Sequence, residues 1–160
     1  MTATDFETCF REQYPKLVAL GVAMGGDREV ARELAQETML RAHDRWDQVG
    51  EYEAPVAWLR RVMTNLLIDH LRSRSVERSA VDRFGARAER SYGEPDVGPD
   101  WSRLVAPLSP AQRAIVTLYY GEDRPVDEIA EILEIATGTV KSALAKARAR
   151  LAIEIGEEDR

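Results

Sequence analysis

The chain has 160 residues, 44% of them hydrophobic and 31% charged, with a formal net charge of −6. That size and balance allow one medium domain or two small ones and exclude wholesale disorder. A single cysteine, Cys9, excludes an intramolecular disulfide and a multi-cysteine metal site, and the longest apolar run, Leu17 to Met24, is too short to cross a bilayer.

Ala, Leu, Glu and Arg dominate, and β-branched residues never alternate over a strand's length, so the expected fold class is all-α. The opening residues, with Thr4, Asp5 and Glu7, have the wrong chemistry for a secretory leader, which points to the cytoplasm. Thr4-Asp5-Phe6-Glu7 reads as a capping box for a first helix. Phe6, Phe10, Tyr14 and Leu17 follow on one side, and Pro15 is expected to kink or divide the helix. Gly25-Gly26 ends it, and Asp27 is placed to cap the next. The second helix carries Val30, Leu34, Ala35, Met39, Ala42 and Trp46 along one side, with Gly50 beyond its end. Pro55 suits the first turn of a third helix, on which Val56, Leu59, Val62, Met63, Leu66, Leu67, His70 and Leu71 recur at three- and four-residue steps.

Composition changes after residue 74. Residues 75–100 are rich in Arg, Ser, Glu and Gly, with prolines and glycines crowded into Ser91 to Asp100. They read as a flexible linker with a helical start up to Phe84, between domains at 1–74 and 101–160 that are expected to move independently. Ser109-Pro110-Ala111-Gln112 is a second capping box, and Ile115, Leu118 and Tyr119 form the buried side of the helix it opens, which Gly121 stops. Two helices follow, at about Val126 to Leu133 and Gly138 to Ile153.

These last two match a helix-turn-helix. Ala130 is the small residue where the helices touch. Ile129, Leu133 and Ile135 supply one side of the core and Val140 and Leu144 the other, and Thr137 is placed to cap the second helix. Its leading turn, with Thr139, Lys141 and Ser142, is expected to face the major groove, and Lys146, Arg148 and Arg150 to reach phosphates. From Gly138 to Ile153 there are four basic residues and no acid, while acids crowd on both sides. A local basic stripe grips phosphate while the acidic remainder weakens non-specific binding, so the chain should hold DNA poorly without a partner. A helical hairpin with a solvated basic face is the bland alternative. Glu134 stands at the turn position where positive φ favours glycine, at a cost of about 1 kcal/mol.

The third helix combines its apolar face with Trp58, Arg60, Arg61, Asn65, Arg72 and Arg74. An unstacked base needs an aromatic platform, arginines and amide hydrogen bonds, and Trp58, Arg60, Arg61 and Asn65 with the Gly50–Pro55 loop could provide them. Trp58 fits the core equally well.

Three stretches, taken in order, resemble the extracytoplasmic-function sigma factors of bacterial RNA polymerase. They are Glu33-Leu34-Ala35-Gln36-Glu37-Thr38-Met39-Leu40-Arg41-Ala42; the helix from Ala57-Trp58-Leu59-Arg60-Arg61 to Asp69-His70-Leu71-Arg72; and Leu108-Ser109-Pro110-Ala111-Gln112-Arg113 followed by Glu128-Ile129-Ala130-Glu131-Ile132-Leu133 and Gly138-Thr139-Val140-Lys141-Ser142. The resemblance implies two helical domains, regions two and four. Region two would bind core RNA polymerase through Glu33, Gln36, Glu37, Leu40 and Arg41, and melt the −10 element of promoter DNA with Trp58, Arg60, Arg61, Asn65, Arg72 and Arg74. Region four would read the −35 element with Thr137, Thr139, Lys141, Ser142, Lys146, Arg148 and Arg150. It also implies an anti-sigma partner, with no metal, cofactor, small-molecule substrate or catalytic residue. Ala143 departs from the family, which usually has arginine there. A stand-alone helix-turn-helix regulator with an N-terminal dimerisation or sensing domain is the competing reading. An enzyme is disfavoured, because the sequence holds no phosphate-cradling glycine loop and only two histidines, His43 and His70.

Overall fold

The computed structural model describes residues 5–83 and 99–158, with side chains described for 5–74, 101 and 103–152. The described residues are helical, without strands. Helix α1 spans Phe6–Ala23, α2 Arg28–Asp44, α3 Trp46–Val49 and α4 Pro55–Arg83. After the undescribed residues 84–98 come α5 (Pro99–Val105), α6 (Pro110–Val116), a π-helical turn (Thr117–Gly121), α7 (Val126–Leu133) and α8 (Thr137–Glu158).

Several local expectations are met by direct contacts. Asp27 caps α2, its Oδ1 accepting from the Val30 N–H at 2.8 Å. Ser109 Oγ accepts from the Gln112 N–H (3.2 Å) while Gln112 Oε1 accepts from the Ser109 N–H (3.1 Å), a complete capping box. Gly25 ends the α1 turn at φ +95°, where a side chain would be strained. Helices α1 and α2 then pack closely at Gly21, whose absent Cβ would lie 2.8 Å from Ala31 Cβ.

Other expectations are corrected. Helix α1 begins at Phe6 behind Asp5, which makes no side-chain cap, and Thr4 lies outside the described residues. Pro15 lies within α1 and does not divide it. The buried side of α1 is Cys9, Gln13, Leu17 and Leu20. The aromatic stripe lies on the flank, where Phe10 stacks on Tyr14 at 5.1 Å and Phe6 meets the Trp46 edge at 5.5 Å. Trp46 belongs to its own short helix, α3. Helix α6 does not run on to Gly121 as an α-helix, because the chain widens into the π turn at Thr117. Helix α8 starts at Thr137 itself, one residue before the expected Gly138. The expected linker is helical through Arg83, and its residues 84–98 lie outside the described residues.

The largest correction concerns the two halves, which were expected to be independent. They share one apolar core, in which Leu17, Met39, Leu59, Met63 and Leu67 from α1, α2 and α4 join Ile115, Leu118, Ile129, Ile132, Val140 and Leu144 from the C-terminal half. Burial of this apolar surface drives the docking, because α4 has apolar residues enough to face both α1–α2 and α6–α7. Polar contacts fix its register. Trp101 Nε1 donates to the Ala23 carbonyl at 3.1 Å, and Arg113 reaches the Met24 carbonyl at 3.4 Å.

Candidate nucleic-acid interface

The helix-turn-helix is built by α7 and α8. Ala130 is buried where they meet, and Val140 and Leu144 are buried with Ile129 as expected. Ile132 is fully buried, whereas Leu133 and Ile135 pack only partly against the core. Glu134 closes α7 in the left-handed region at φ 56°, ψ 46°.

Outside that core, the leading part of α8 faces solvent. Thr137, Thr139, Lys141, Ser142 and Lys146 are all exposed. Among the described residues Lys141 and Lys146 have no ion-pair or hydrogen-bond partner, so both ammonium groups are available to an anion. Arg148 and Arg150 are exposed but engaged. Arg148 Nε donates to the Tyr120 hydroxyl at 2.8 Å and its guanidinium lies 5.8 Å from the Tyr119 ring centre. Arg150 donates to the Pro107 carbonyl. Both therefore also brace α8 against the preceding segments.

The arginines of α4 are placed differently. Arg60 is only 1% exposed. Its Nε donates to both carboxylate oxygens of Glu122 (3.0 and 3.1 Å), and Nη1 donates to Gln13 Oε1 at 2.9 Å. Arg124 Nε donates to Glu122 Oε2 at 2.7 Å. Burial works to raise the Glu122 pKa, but the charge of Arg60 and the bonds from Arg60 and Arg124 outweigh it, and the carboxyl is held below its ordinary value. Arg61 grips the end of α7: Nη2 donates to the Glu131 carbonyl at 2.8 Å, Nε to the Ile132 carbonyl at 3.4 Å, and Nη1 lies 3.2 Å from Glu134 Oε1. A cation at a helix C-terminus satisfies free carbonyls and opposes the helix dipole. Asn65 and Arg72 are exposed, and Arg74 lies 3.9 Å from Asp27 Oδ2.

Trp58 is half-buried, so the core role left open for it is met in part. It packs against the core edge, and it also lines a cleft of about 590 Å³ with Tyr52, Ala57, Arg61, Glu131 and Glu134. Tyr52 stands on this cleft and was not singled out by the sequence reading. Its signal was a lone aromatic among the acids before Pro55, and it is 43% exposed. In this arrangement one wall of the cleft is the acidic end of α7.

On the outer side of α2, Glu33, Gln36, Leu40 and Arg41 are exposed and Glu37 half-buried. Leu40 is 60% exposed, a large apolar side chain amid polar neighbours. Arg41 and Glu37 pair at 2.9 Å along the helix. The described residues contain no His, Cys, Asp or Glu cluster able to hold a metal, and no helix among them is long and apolar enough to cross a membrane.

A bundle bearing an exposed apolar-and-polar face, joined to a helix-turn-helix with a bare basic leading turn, defines a DNA-directed protein with a second macromolecular contact. Residues 9–77 match sigma-70 region 2 and residues 100–151 match sigma-70 region 4. The RNA polymerase sigma-E factor of Streptomyces antibioticus is 30% identical over 97% of this chain and 87% of its own length. The ECF RNA polymerase sigma factor SigM of Mycobacterium tuberculosis is 31% identical over 94% of this chain and 77% of its own. The sigma factor RpoE of Bartonella quintana, solved in complex with the anti-sigma factor NepR, superposes with a TM-score of 0.71 at 27% identity, covering 98% of this chain and 99% of that one. The chain belongs to the extracytoplasmic-function sigma factors of bacterial RNA polymerase. Its function is to direct promoter-specific initiation together with core polymerase and promoter DNA.

Proposed function

We propose a residue-level division of this sigma function, with region two at 1–74, a linker at 75–100 and region four at 101–160. The leading part of α8, with Thr137, Thr139, Lys141 and Ser142, enters the −35 element, and Lys146 reaches its phosphates. Arg148 and Arg150 reach phosphates once DNA replaces their present partners. Trp58, Arg60, Arg61, Asn65, Arg72 and Arg74, with Tyr52 beside them, hold the melted −10 element. The outer side of α2, with Glu33, Gln36, Glu37, Leu40 and Arg41, binds core polymerase. The chain acts in the cytoplasm and carries out no catalysis of its own.

The observation that supports this most is the contrast on α8: free lysines at its start, in a chain whose net charge is −6. Free DNA is held weakly by so few cations, and tight promoter binding then depends on polymerase. The −10 role requires the halves to separate, since Arg60 and Arg61 are engaged by region four. The likeness to RpoE runs through both halves, and that protein was solved with an anti-sigma factor. This supports a restraining partner of the same kind here, one that favours the docked form.

The test is run-off transcription on genomic DNA with core polymerase from the same organism. The full chain should direct defined start sites, and Gln36→Ala combined with Glu37→Ala should abolish them while helical content is unchanged. Normal polymerase pull-down by the double variant would place the interface elsewhere. Tight, salt-resistant promoter binding by the chain alone would instead favour a stand-alone regulator.

A further inference from the structure

Beside the leading turn of α8 lies a shallow depression of about 320 Å³, lined by Gln112, Gly138, Thr139, Ser142, Ala143 and Lys146. It exists because the α8 side chains over it are short. Ala143 ends at Cβ, and a Cβ added at Gly138 would meet no atom within 4 Å. No acid lines it, although the chain carries 28 acidic residues.

The polar groups around it are mainly donors. Lys146 has three N–H groups and no partner among the described residues, and the hydroxyls of Thr139 and Ser142 can turn to donate. Gln112 comes from outside the helix-turn-helix, and its orientation is dictated by the capping box. Its Oε1 must be the atom facing the Ser109 N–H at 3.1 Å, because that backbone group can only donate. The carboxamide therefore keeps Nε2, with its two N–H groups, for something else. The Ser109 hydroxyl bond to the Gln112 N–H holds the residue in register.

A patch made of one ammonium, one amide NH₂ and two hydroxyls, with no carboxylate, suits an oxyanion that accepts several bonds at once. We propose that this depression seats one backbone phosphate of the promoter duplex, with Gln112 as a donor that couples α6 to the DNA. The inference rests on the reading of α8 as the −35 helix. It adds a residue of α6 to that interface and gives Ala143 a role: its small side chain leaves room for the phosphate. The contact is to the backbone, so it positions α8 without reading sequence.

The discriminating variant is Gln112→Glu. A glutamate completes the same capping box with Ser109, so folding is retained, but it presents an anion where the amide donated. With the full chain in holoenzyme, promoter affinity at fixed salt should fall roughly tenfold, and equally on fragments with different −35 sequences. Ala143→Leu, which fills the depression without touching the cap, should weaken binding in the same uniform way. Unchanged affinity in Gln112→Glu, with an unchanged melting temperature, overturns the seat. So does a loss confined to one −35 sequence, which would make Gln112 a base reader. Lys141→Ala, run alongside, separates the two levels: if it and Gln112→Glu both leave −35 dependence and affinity intact, the assignment of α8 has failed and the seat with it.

Discussion

The two helices expected to meet DNA carry similar residues and are treated in opposite ways. On α8 the leading lysines stand clear of protein contacts among the described residues, and only the trailing arginines are tied down, to Tyr120 and Pro107. On α4 the leading arginines are consumed: Arg60 is buried on Glu122 and Gln13, and Arg61 closes the end of α7. A planar guanidinium satisfies carbonyls and carboxylates bidentately, so the groups suited to gripping nucleic acid are equally suited to gripping the other half of the same chain. An ammonium on a flexible stem loses more by being fixed, and it is left in water.

The largest effect that sharpens this contrast is at Arg60. Replacing it with alanine leaves Glu122 and Gln13 without their shared partner at a buried site, and Arg60→Ala should cost about 3 kcal/mol of stability. Denaturant unfolding measures the loss, and scattering in solution should show the halves further apart. If neither changes, the apolar core alone holds the docking. Next comes Lys141→Ala, which touches no core contact. It should lower transcription about tenfold at promoters with the matching −35 sequence, and leave thermal unfolding unchanged. An equal fall at every promoter would make Lys141 a backbone contact.

Acid should loosen the α4 side of the comparison and spare the α8 side. Glu122 has a depressed pKa, so its contribution is present above the ordinary carboxylate value, about 4.3, and fades as pH falls through the lower folded value. Stability measured against pH should show this acid limb in the native chain, and Glu122→Gln should flatten it. An unchanged limb in that variant would assign the acid sensitivity to other carboxylates. The smallest effect is at the turn of the helix-turn-helix. Glu134→Gly removes a left-handed strain of about 1 kcal/mol and also an exposed pair with Arg61, whose side chain is 35% accessible. Such a pair contributes less than about 1 kcal/mol. A small net gain in stability is therefore expected, and a clear loss would mean that the Arg61 contact matters more than the strain.

Local chemistry was legible in the chain because its partners lie within a few residues. The Ser109–Gln112 box, the Asp27 cap, the Ala130 contact and the left-handed Glu134 all follow from spacing and side-chain type. The docking of the halves was not legible. Arg60 lies 47 residues from Gln13 and 62 from Glu122 along the chain, and helical periodicity cannot say which polar residue will find a distant partner. The same holds for α1, where Phe6, Phe10 and Tyr14 make a convincing apolar stripe by sequence. The structure instead buries the side with Cys9 and Gln13, because Gln13 has Arg60 to satisfy it. At the candidate interface, residue types were readable from the motifs, but the bare α8 lysines and the occupied α4 arginines required the tertiary arrangement.

The π turn at Thr117–Gly121 sets the rotational phase of the chain that follows it. Its wide turn, closed by the Glu122 N–H on the Thr117 carbonyl at 3.1 Å, holds one residue more than an α-helical turn would. Loss of a single codon here would restore the α-helical pitch and rotate the downstream chain by about 100°. Tyr120 would leave Arg148 and Glu122 would leave Arg60 in the same step. The wide turn thus sets both the Tyr120 contact to α8 and the carboxylate that clasps the other half, and removing one of its residues should break both contacts together.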